Sequence, residues 1–414
     1  MSEKIPKGWK WVKLGEVLNS GSFELLDRYR IPLSDNQRNK MKDGILYPYY
    51  GANGIIDYVN RYIFDGEFIL VAEDGTVSTD KGKPVVQYVC GKFWVSNHAH
   101  VIKCENSITL KFLYYALKNV DIIPYITGAV QPKLNQRNLL DIEILYALDI
   151  NEQKAIAEVL SSIDDKIDLL HRQNKTLEEM AMTLFRQWFI EPTKDGLPEG
   201  WEEVSLGEFI KEILGGDWGK EKPEGEYKIK VNCIRGTDIS DLQDSLPKKT
   251  PVRFIKQSKF KSIEPKDGDI ILEISGGTET QSTGRSIYIS SFNRQLFEYP
   301  IIFSNFCRLL RPKENYYTYY LYLYLKYLYI NDEFFSLENG TSGIKNLDYK
   351  TLLYDLKYPM PKNTEIYLSF HENVSILFEK IDKNKLQIQT LEKLRDKLLP
   401  KLMSGEVRIM NDKY

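Results

Sequence analysis

Residues 6–16 read PKGWKWVKLGE, and residues 198–208 read PEGWEEVSLGE, 192 positions further along the chain. A repeat of this length determines the architecture before any local motif is considered, because each copy must build the same kind of structural unit. The sequence of 414 residues therefore predicts two related modules within one chain.

Shorter matches extend the repeat through the rest of both halves, and their offset grows along the chain. The matched segments are Gly66–Leu70 with Gly268–Leu272 and Gly82–Lys83 with Gly284–Arg285 (offset 202), Ser96–Asn97 with Ser304–Asn305 (208), and Thr176–Glu178 with Thr390–Glu392 (214). An offset that only grows predicts a true duplication whose second copy carries loop insertions.

The composition describes an ordinary soluble protein, with 42% hydrophobic and 28% charged residues. No apolar run approaches the ~18 residues that a membrane helix needs, and the N-terminus lacks the apolar core of a secretory signal. We therefore expect a cytoplasmic protein with no membrane partner. Its four cysteines lie far apart without a Cys-x-x-Cys pair, so reduced thiols are expected.

The net charge is −2, but basic residues concentrate in two stretches, one in each half. Residues 81–104 and 247–263 contain lysine, arginine or histidine and no acidic residue. Two such stretches suit a polyanion such as DNA, since the distribution of charge matters more than its sum. A solvated charged face explains the pattern equally well, so charge alone leaves both interpretations open.

Each half ends in a helix with coiled-coil spacing. Apolar residues recur every seven positions in two interleaved series over residues 152–189 and again over 366–403, as the a and d positions of a heptad require. Each helix carries one asparagine in this seam, Asn174 and Asn384. A buried Asn fixes coiled-coil register, so we expect the two side chains to hydrogen-bond; contact of each with water is the alternative.

Antiparallel packing in that register brings apolar residues together. The aligned pairs are Leu160–Leu398, Ile167–Leu391, Leu170–Ile388, Leu177–Ile381 and Leu184–Val374, and the one misfit is Ile163 opposite Arg395. A helix over 152–189 measures roughly 57 Å at ~1.5 Å per residue, longer than the ~34 Å of one turn of B-DNA. The antiparallel helices would relate the two modules by a pseudo-twofold axis and hold them at a fixed distance. Two non-identical DNA-binding modules in this arrangement would suit a split, asymmetric DNA target.

Catalytic signatures are missing from the sequence. It has no Gly-x-x-x-x-Gly-Lys-Ser/Thr phosphate loop, no Gly-x-Gly-x-x-Gly after a strand, no Asn/Asp-Pro-Pro-aromatic tetrapeptide of the kind that amino-methyltransferases use, and no nuclease-like carboxylates followed by Glu-x-Lys. His98 and His100 are two residues apart, but no third metal ligand lies nearby in the sequence. We therefore expect a binding protein without catalytic residues or a metal.

The best candidates for binding lie in a loop shared by both halves. It reads EDGTVSTDKGK at residues 73–83 and SGGTETQSTGR at residues 275–285. Glycine permits close backbone approach, and a basic residue at the far end suits phosphate or guanine. The frame repeats while its contents differ, as expected if each copy reads a different sequence. An ordinary loop between strands is the alternative.

A second shared loop follows Gly128 and Gly340, where residues 131–135 read QPKLN and residues 344–348 read IKNLD. Asparagine and glutamine can read adenine through two hydrogen bonds, although capping of a following helix explains Asn135 and Asp348 equally well. The side chains that we predict to contact DNA are Asn53, Thr76, Lys81, Lys83, Asn97, His98, Gln131 and Lys133 in the first half, and Thr278, Gln281, Thr283, Arg285, Asn305, Lys345 and Asn346 in the second.

These motifs, in this order, resemble one family. They are the doubled Pro-x-Gly-Trp-x-x-Val-x-Leu-Gly-Glu, YYGANGI at residues 49–55, GAVQPKL at 128–134, FRQWF at 185–189 and LPKLMSGEV at 399–407. Over essentially its whole length the chain resembles the specificity subunit of Type I restriction-modification systems.

The resemblance implies an α+β fold with two globular, mixed α/β target-recognition domains joined by two long helices packed as an antiparallel coiled coil. The expected bounds are 1–150 for the first target-recognition domain, 151–191 for the first helical spacer, 192–360 for the second domain and 361–414 for the second spacer. Each domain would read one half of a bipartite double-stranded DNA site. The helices would dock two methyltransferase subunits, and restriction subunits would join the complex. S-adenosylmethionine, ATP and Mg would be bound by those partners, while this chain would need no cofactor.

Two alternatives from other classes stay open. A self-contained adenine methyltransferase or nuclease would need a cofactor or metal motif that the sequence lacks, and binding of S-adenosylmethionine by the purified chain would revive it. A purely structural coiled-coil scaffold would explain the helices but not the duplicated basic loops, and failure to bind DNA even with a methyltransferase partner would favour it.

Overall fold

The computed structural model describes residues 5–128, 130–244, 250–278, 281–340 and 345–409. Within them the chain forms two compact units. The first unit runs to Asp165 and resumes at Lys393, and the second unit spans Lys166–Glu392. Each unit therefore contains one globular module and a segment of each of two long helices.

The first module is built around a six-stranded sheet. In chain order its elements, with the long helix that follows, are β1 (Trp9–Lys13), α1 (Leu14–Leu18), β2 (Phe23–Leu25), α2 (Asp35–Asn39), β3 (Tyr47–Gly51), β4 (Gly54–Val59), β5 (Phe64–Ala72), β6 (Val86–Val95), β7 (Ala99–Cys104), α3 (Ser107–Asn119), α4 (Gln136–Asp141), β8 (Glu143–Ala147) and α5 (Ile150–Phe185). The sheet order is β2-β7-β5-β6-β3-β4. Strand β3 runs parallel to β6, and all other neighbouring strands of this sheet are antiparallel. A separate antiparallel pair joins β1 to β8.

Strand β5 shows how the first module buries both faces of its sheet. Successive side chains of a strand point to opposite faces, and residues 68–72 are all buried. Ile69 packs in one cluster with Leu113 of α3, whereas Leu70 packs in another with Phe93 of β6. A strand covered on both sides needs a continuous apolar run, which explains why this segment does not alternate with polar residues.

The second module repeats this plan in smaller sheets. Its elements, with the long helix that follows, are β9 (Trp201–Val204), β10 (Ile210–Gly215), β11 (Tyr227–Ile234), α6 (Gly236–Asp244), β12 (Val252–Lys256), α7 (Gln257–Ile263), β13 (Ile270–Glu273), β14 (Ser275–Gly276), β15 (Ser286–Tyr288), α8 (Ser291–Arg294), β16 (Ile301–Phe303), β17 (Cys307–Pro312), α9 (Thr318–Ile330), β18 (Glu338–Asn339), β19 (Lys345–Leu347), β20 (Tyr358–Pro361) and α10 (Thr364–Met403). The sheet orders are β10-β17-β13-β15, β12-β11-β16, β14-β19-β18 and β20-β9. As in the first module, one pairing is parallel, between β11 and β16.

The repeated Pro-x-Gly-Trp motif forms the same turn in both modules. The backbone N–H of Trp9 donates to Pro6 O at 3.1 Å, and that of Trp201 donates to Pro198 O at 3.1 Å. The glycine inside each turn has a positive φ, +87° in the first and +78° in the second, which glycine adopts without the steric cost borne by other residues. Each turn leads into the strand that pairs with the end of its module, β1 with β8 and β9 with β20.

Helix α9 is rich in tyrosine and lies in the core of the second module. Tyr320, Tyr322 and Tyr324 are buried in the main apolar cluster of the second module. Tyr288 of β15 meets Tyr322 edge-on at 5.2 Å between ring centroids. Since edge-to-face packing of buried rings stabilises a core, these tyrosines are explained by packing rather than by nucleic-acid stacking.

Helices α5 and α10 pack antiparallel in each unit, which confirms the coiled-coil prediction. The predicted partners that share one apolar cluster are Leu160 with Leu398 in the first unit, and Leu177 with Ile381 and Leu184 with Val374 in the second. The predicted misfit is resolved because Arg395 forms an ion pair of 2.9 Å with Asp164, the residue next to Ile163. In the second unit Asn384 donates a hydrogen bond to Asn174 at 2.8 Å. Among the described helices, none is both long and apolar enough to cross a membrane.

Candidate nucleic-acid interface

Backbone hydrogen bonds tie four loop segments of the first module together. We call the described residues of these segments, 51–53, 73–83, 96–98 and 127–135, the first rim. The N–H of Ser96 donates to Tyr50 O (2.9 Å), Glu73 N–H donates to His98 O (2.8 Å), and Leu134 N–H donates to Glu73 O (2.7 Å). The two loops singled out in the sequence therefore lie side by side, joined through Glu73.

The second module contains the same three hydrogen bonds. Ser304 N–H donates to Ile234 O (2.9 Å), Ile274 N–H donates to Phe306 O (2.9 Å), and Leu347 N–H donates to Ile274 O (3.0 Å). We call the described residues of 235–237, 274–285, 304–306 and 339–347 the second rim. The duplication therefore extends to the backbone scaffold of the candidate interface.

These backbone pairings correct two details of the sequence alignment. Tyr50 and Ile234 accept the equivalent bond, so the offset there is 184 and does not only grow. Val85 O accepts from Ala72 N–H at 3.0 Å, and Arg285 O accepts from Glu273 N–H at 2.8 Å. The counterpart of Arg285 is thus Val85, so the alignment of Arg285 with Lys83 is wrong. Both loops contain a glycine followed by a basic residue, but at different distances from the preceding strand.

A network of charged and polar side chains around the buried His100 supports the first rim. The ring of His100 places Nδ1 2.6 Å from Asp27 Oδ2 and Nε2 2.8 Å from Leu134 O. Both neighbours are hydrogen-bond acceptors, so the His100 ring bridges Asp27 and the second shared loop at Leu134. Arg30 NH1 lies 2.6 Å from Glu73 Oε2, and Lys133 Nζ lies 3.2 Å from Glu73 Oε1. Cations and carboxylates are thereby matched where the two loops meet.

The same network brings three potential metal ligands together. Ligand atoms of Asp27, Glu73 and His100 lie within 4.8 Å of one another. Arg30 and Lys133 already approach the carboxylates, and both nitrogens of His100 face hydrogen-bond acceptors. A divalent ion would have to displace these cations, so the chemistry of the cluster fits a salt-bridged support better than a metal site.

In the second module a bidentate ion pair lies beneath the rim. Arg285 Nε donates to Glu273 Oε2 at 2.8 Å, and its NH2 donates to Oε1 at 2.5 Å. The side chain of Glu273 is 1% exposed. The hydrogen bond between Glu273 and Arg285 raises the pKa of Arg285 above the ordinary value for arginine. Arg285 NH1 also reaches Ser240 Oγ at 3.2 Å. This geometry makes Arg285 part of the internal frame of the rim.

A cavity of about 650 Å³ opens beside this ion pair. It is lined by Trp218, Arg235, Gly236, Thr237, Glu273, Ser275, Gly276, Gly277, Thr278, Gln281, Arg285, Asn305 and Phe306. Three segments of the second rim contribute to the lining, so the cavity belongs to the candidate interface and not to the interior of the module.

Comparison with known proteins assigns the chain to a family. The model of the Type I restriction modification DNA specificity domain matches residues 6–179 and again residues 198–395. The chain belongs to this family. The two matches correspond to the two halves of the repeat, so each module with its adjoining helix is one copy of the family's domain.

Two specificity subunits resemble the chain over more than the length of one copy. It is 28% identical to a putative type I restriction enzyme specificity subunit of Haemophilus influenzae over 298 residues, which is 70% of this chain and 71% of that protein. It is also 28% identical to the MjaIX specificity subunit of Methanocaldococcus jannaschii over 323 residues, 74% of this chain and 71% of that one. The crystal structure of an S subunit from M. genitalium has the same fold, with a TM-score of 0.57 and 19% identity over 97% of both chains.

Several predicted contact residues of this specificity subunit are exposed on the first rim. They are Asn53, Thr76, Lys81, Asn97, His98, Gln131 and Lys133. His98 Nδ1 lies 2.7 Å from Asp74 Oδ1, and Lys81 Nζ lies 3.2 Å from Asp396 in α10. Lys83 instead turns inward and donates to Asn119 O at 2.6 Å, where it satisfies a carbonyl at the end of α3.

The second rim exposes a shorter set of the predicted residues, namely Thr278, Gln281, Asn305 and Asn346. Thr283 is fully buried, and its backbone N–H donates to Glu338 Oε1 at 2.5 Å. Lys345 forms an ion pair with Glu338 at 2.9 Å. Thr283, Arg285 and Lys345 therefore engage internal partners in this structure, and their contact with DNA stays a prediction.

Helix capping accounts for the two positions left open in the second shared loop. Asn135 Oδ1 accepts from Asn138 N–H at 2.9 Å, and Asp348 Oδ1 accepts from Thr351 N–H at 3.1 Å. The Thr351 backbone hydrogen bond holds the pKa of Asp348 below its ordinary value. These two side chains shape the loop ends and are not needed to explain recognition.

Sequence reasoning missed the residues that support the rims. Asp27 and Arg30 come from a short turn far from Glu73 in the sequence, and Trp218 and Phe306 line the cavity without belonging to any motif. Of the basic stretch 247–263, Lys248 and Lys249 lie outside the described residues. Arg253 and Lys256 are paired with Glu221 (3.1 Å) and Glu226 (2.7 Å), so their charge is largely compensated.

Proposed function

We propose that this specificity subunit reads a bipartite, asymmetric DNA target, with one module for each half-site. The observation that carries the proposal is the pair of rims, whose three backbone hydrogen bonds are the same while their side chains differ. A conserved frame with different exposed groups is what two readers of different sequences require, because base edges are distinguished by side-chain donors and acceptors.

The chain itself is proposed to be non-catalytic and to direct partner subunits to the target. The partners are two methyltransferase subunits and the restriction subunits, which would bind S-adenosylmethionine, ATP and Mg, and the complex would act on adenine in cytoplasmic DNA. Exposed apolar side chains on the long helices support such docking. Leu169, Met180, Ile376 and Leu394 are each more than a third exposed, and large apolar groups on a helix surface favour burial by another protein.

A methylome tests this function directly. The chain is co-expressed with the methyltransferase subunit encoded beside it in a host free of DNA methylation, and modified adenines are mapped. We expect one bipartite motif that disappears when this chain is omitted. A soluble complex that leaves no motif would contradict the proposal.

Single-rim variants then assign the half-sites. Asn305→Ala with Gln281→Ala changes two exposed groups of the second rim, and we expect it to relax only one half of the motif. The matched control is Asn97→Ala with Gln131→Ala in the first rim, which should relax the other half. Loss of the whole motif in both variants would contradict independent reading by the two modules.

A further inference from the structure

A rigid, planar ion pair lies beneath the cavity of the second module. Glu273 and Arg285 form a fork-to-fork pair, and such bidentate geometry fixes both groups in one plane. A Cβ added to Gly236 would lie 2.2 Å from Glu273 Oε1, and one added to Gly276 would lie 2.5 Å from the same atom. The backbone at these two glycines therefore packs directly against the carboxylate, whose side chain is 1% exposed.

Two aromatic residues stand at the cavity wall. The guanidinium of Arg253 lies 4.3 Å from the centroid of the Trp218 ring, and Arg253 in turn pairs with Glu221. This contact holds the indole in place from outside the cavity lining. Phe306 is 50% exposed, although its backbone is fixed through the hydrogen bond from Ile274. A large apolar ring is thus presented to solvent from a fixed position on the rim.

The remaining lining is suited to the edge of a heterocycle. Thr237, Ser275 and Asn305 contribute hydroxyl and amide groups beside the aromatic walls. Cavities of ~300–1,000 Å³ with apolar walls and a few polar groups hold small organic molecules. A flat ring with hydrogen-bonding edges can stack on aromatic or guanidinium planes and use these groups at its margin.

We propose that this cavity receives one unstacked nucleobase of the DNA, with Phe306 occupying the step from which the base leaves. The inference rests on the proposed function, because it requires DNA to lie on the second rim. Apolar wedges inserted between base pairs unstack a step, and an extruded base is held by stacking and by hydrogen bonds to its edge. In the first module His98 takes the position of Phe306. The proposed unstacking of a base therefore applies to the second half-site alone.

The test uses the complex of this chain with its methyltransferase partner and a duplex that carries the mapped motif. 2-Aminopurine, whose fluorescence rises when it leaves the stack, replaces one base at a time through the second half-site. We expect a several-fold rise at one position other than the methylated adenine. An abasic site at that position should leave binding as tight or tighter, because the cost of unstacking is removed.

Two variants make the test independent of folding defects. Phe306→Ala removes the wedge, and Thr237→Trp adds a large side chain to the cavity lining. Each should abolish the fluorescence rise and weaken motif binding by ~5–150-fold, the equivalent of losing one stacked base. Ile330→Ala, which removes an exposed apolar side chain of α9 outside the second rim and the cavity lining, should leave the rise unchanged.

The outcomes separate this inference from the proposed function. Motif-specific binding without a fluorescent position, or a rise that persists in both cavity variants, would overturn the inference and leave the function intact. Absence of motif-specific binding by the wild-type complex would overturn both. Free nucleosides that bind in the cavity without changing the affinity for DNA would identify a small-molecule site. That result would also overturn the inference.

Discussion

Asn384 Nδ2 donates to Asn174 Oδ1 at 2.8 Å between the two long helices, and both side chains are buried. Among the described residues, Asn174 Nδ2 has no hydrogen-bond partner. The pair thus fixes a register while leaving one donor unsatisfied. This is the balance seen when a polar residue specifies a coiled coil at a cost in stability.

Asn384→Leu is expected to lower the free energy of unfolding by about 1–3 kcal/mol, because the amide of Asn174 would then be buried without a partner. Chemical denaturation of the isolated chain measures the loss. Changing both residues to leucine should recover most of it, since an apolar pair leaves nothing unsatisfied. Additive losses in the double variant would show that the two side chains do not depend on each other.

The charge network of the first rim gives a second prediction. His100→Ala removes the ring that bridges the Asp27 carboxylate and Leu134 O, and leaving such polar groups without a partner costs about 1–3 kcal/mol. Hydrogen exchange should show the loss in the first module, and the methylome should lose discrimination in one half-site. The control for stability is His98→Ala, whose exposed contact with Asp74 is expected to contribute less than about 1 kcal/mol. Equal losses of stability in the two variants would contradict a special role for His100.

Arg285 is expected to act first on stability and only then on DNA binding. Arg285→Ala would leave Glu273 charged and buried, at a cost of about 3–5 kcal/mol. Combining it with Glu273→Ala should cost less than the sum of the two single changes, as a denaturation cycle would measure. Lys256→Ala, which removes an exposed partner of Glu226, should leave the unfolding midpoint unchanged. An Arg285→Ala protein as stable as wild type would point instead to a direct contact with DNA.

The sequence predicted the features that depend on periodicity. Heptad spacing identified the seam of the long helices and the Asn174–Asn384 register, because those contacts repeat along a regular helix. Equivalent positions of the two modules that are separated by loop insertions could not be predicted from periodicity. Tyr50 and Ile234 are equivalent only through the strands that they pair with, and Arg30 meets Glu73 only after the sheet has formed. The shared loop glycines suggested that Lys83 is the counterpart of Arg285. The backbone hydrogen bonds show instead that the counterpart of Arg285 is Val85.

The last prediction concerns pH and the buried carboxyl of Asp382. This group accepts hydrogen bonds from Tyr288 and Ser290 at 2.6 Å each, but burial raises its pKa above the ordinary value of 3.8. The folded state therefore binds the proton more tightly than the unfolded state. The stability that this provides is fully present below pH 3.8 and is lost as the pH rises through the higher folded-state pKa.

Asp382→Asn cannot ionise, so its stability relative to wild type should rise with pH across that window and then level off. Denaturant unfolding of both proteins at intervals from pH 4 to pH 8 measures the difference. The control is Asp168→Asn at the matching position of the repeat, where the exposed carboxylate pairs with Arg172, and its effect should stay within about 0.5 kcal/mol throughout. A relative stability of Asp382→Asn that falls as the pH rises would show that the folded protein favours the charged carboxylate.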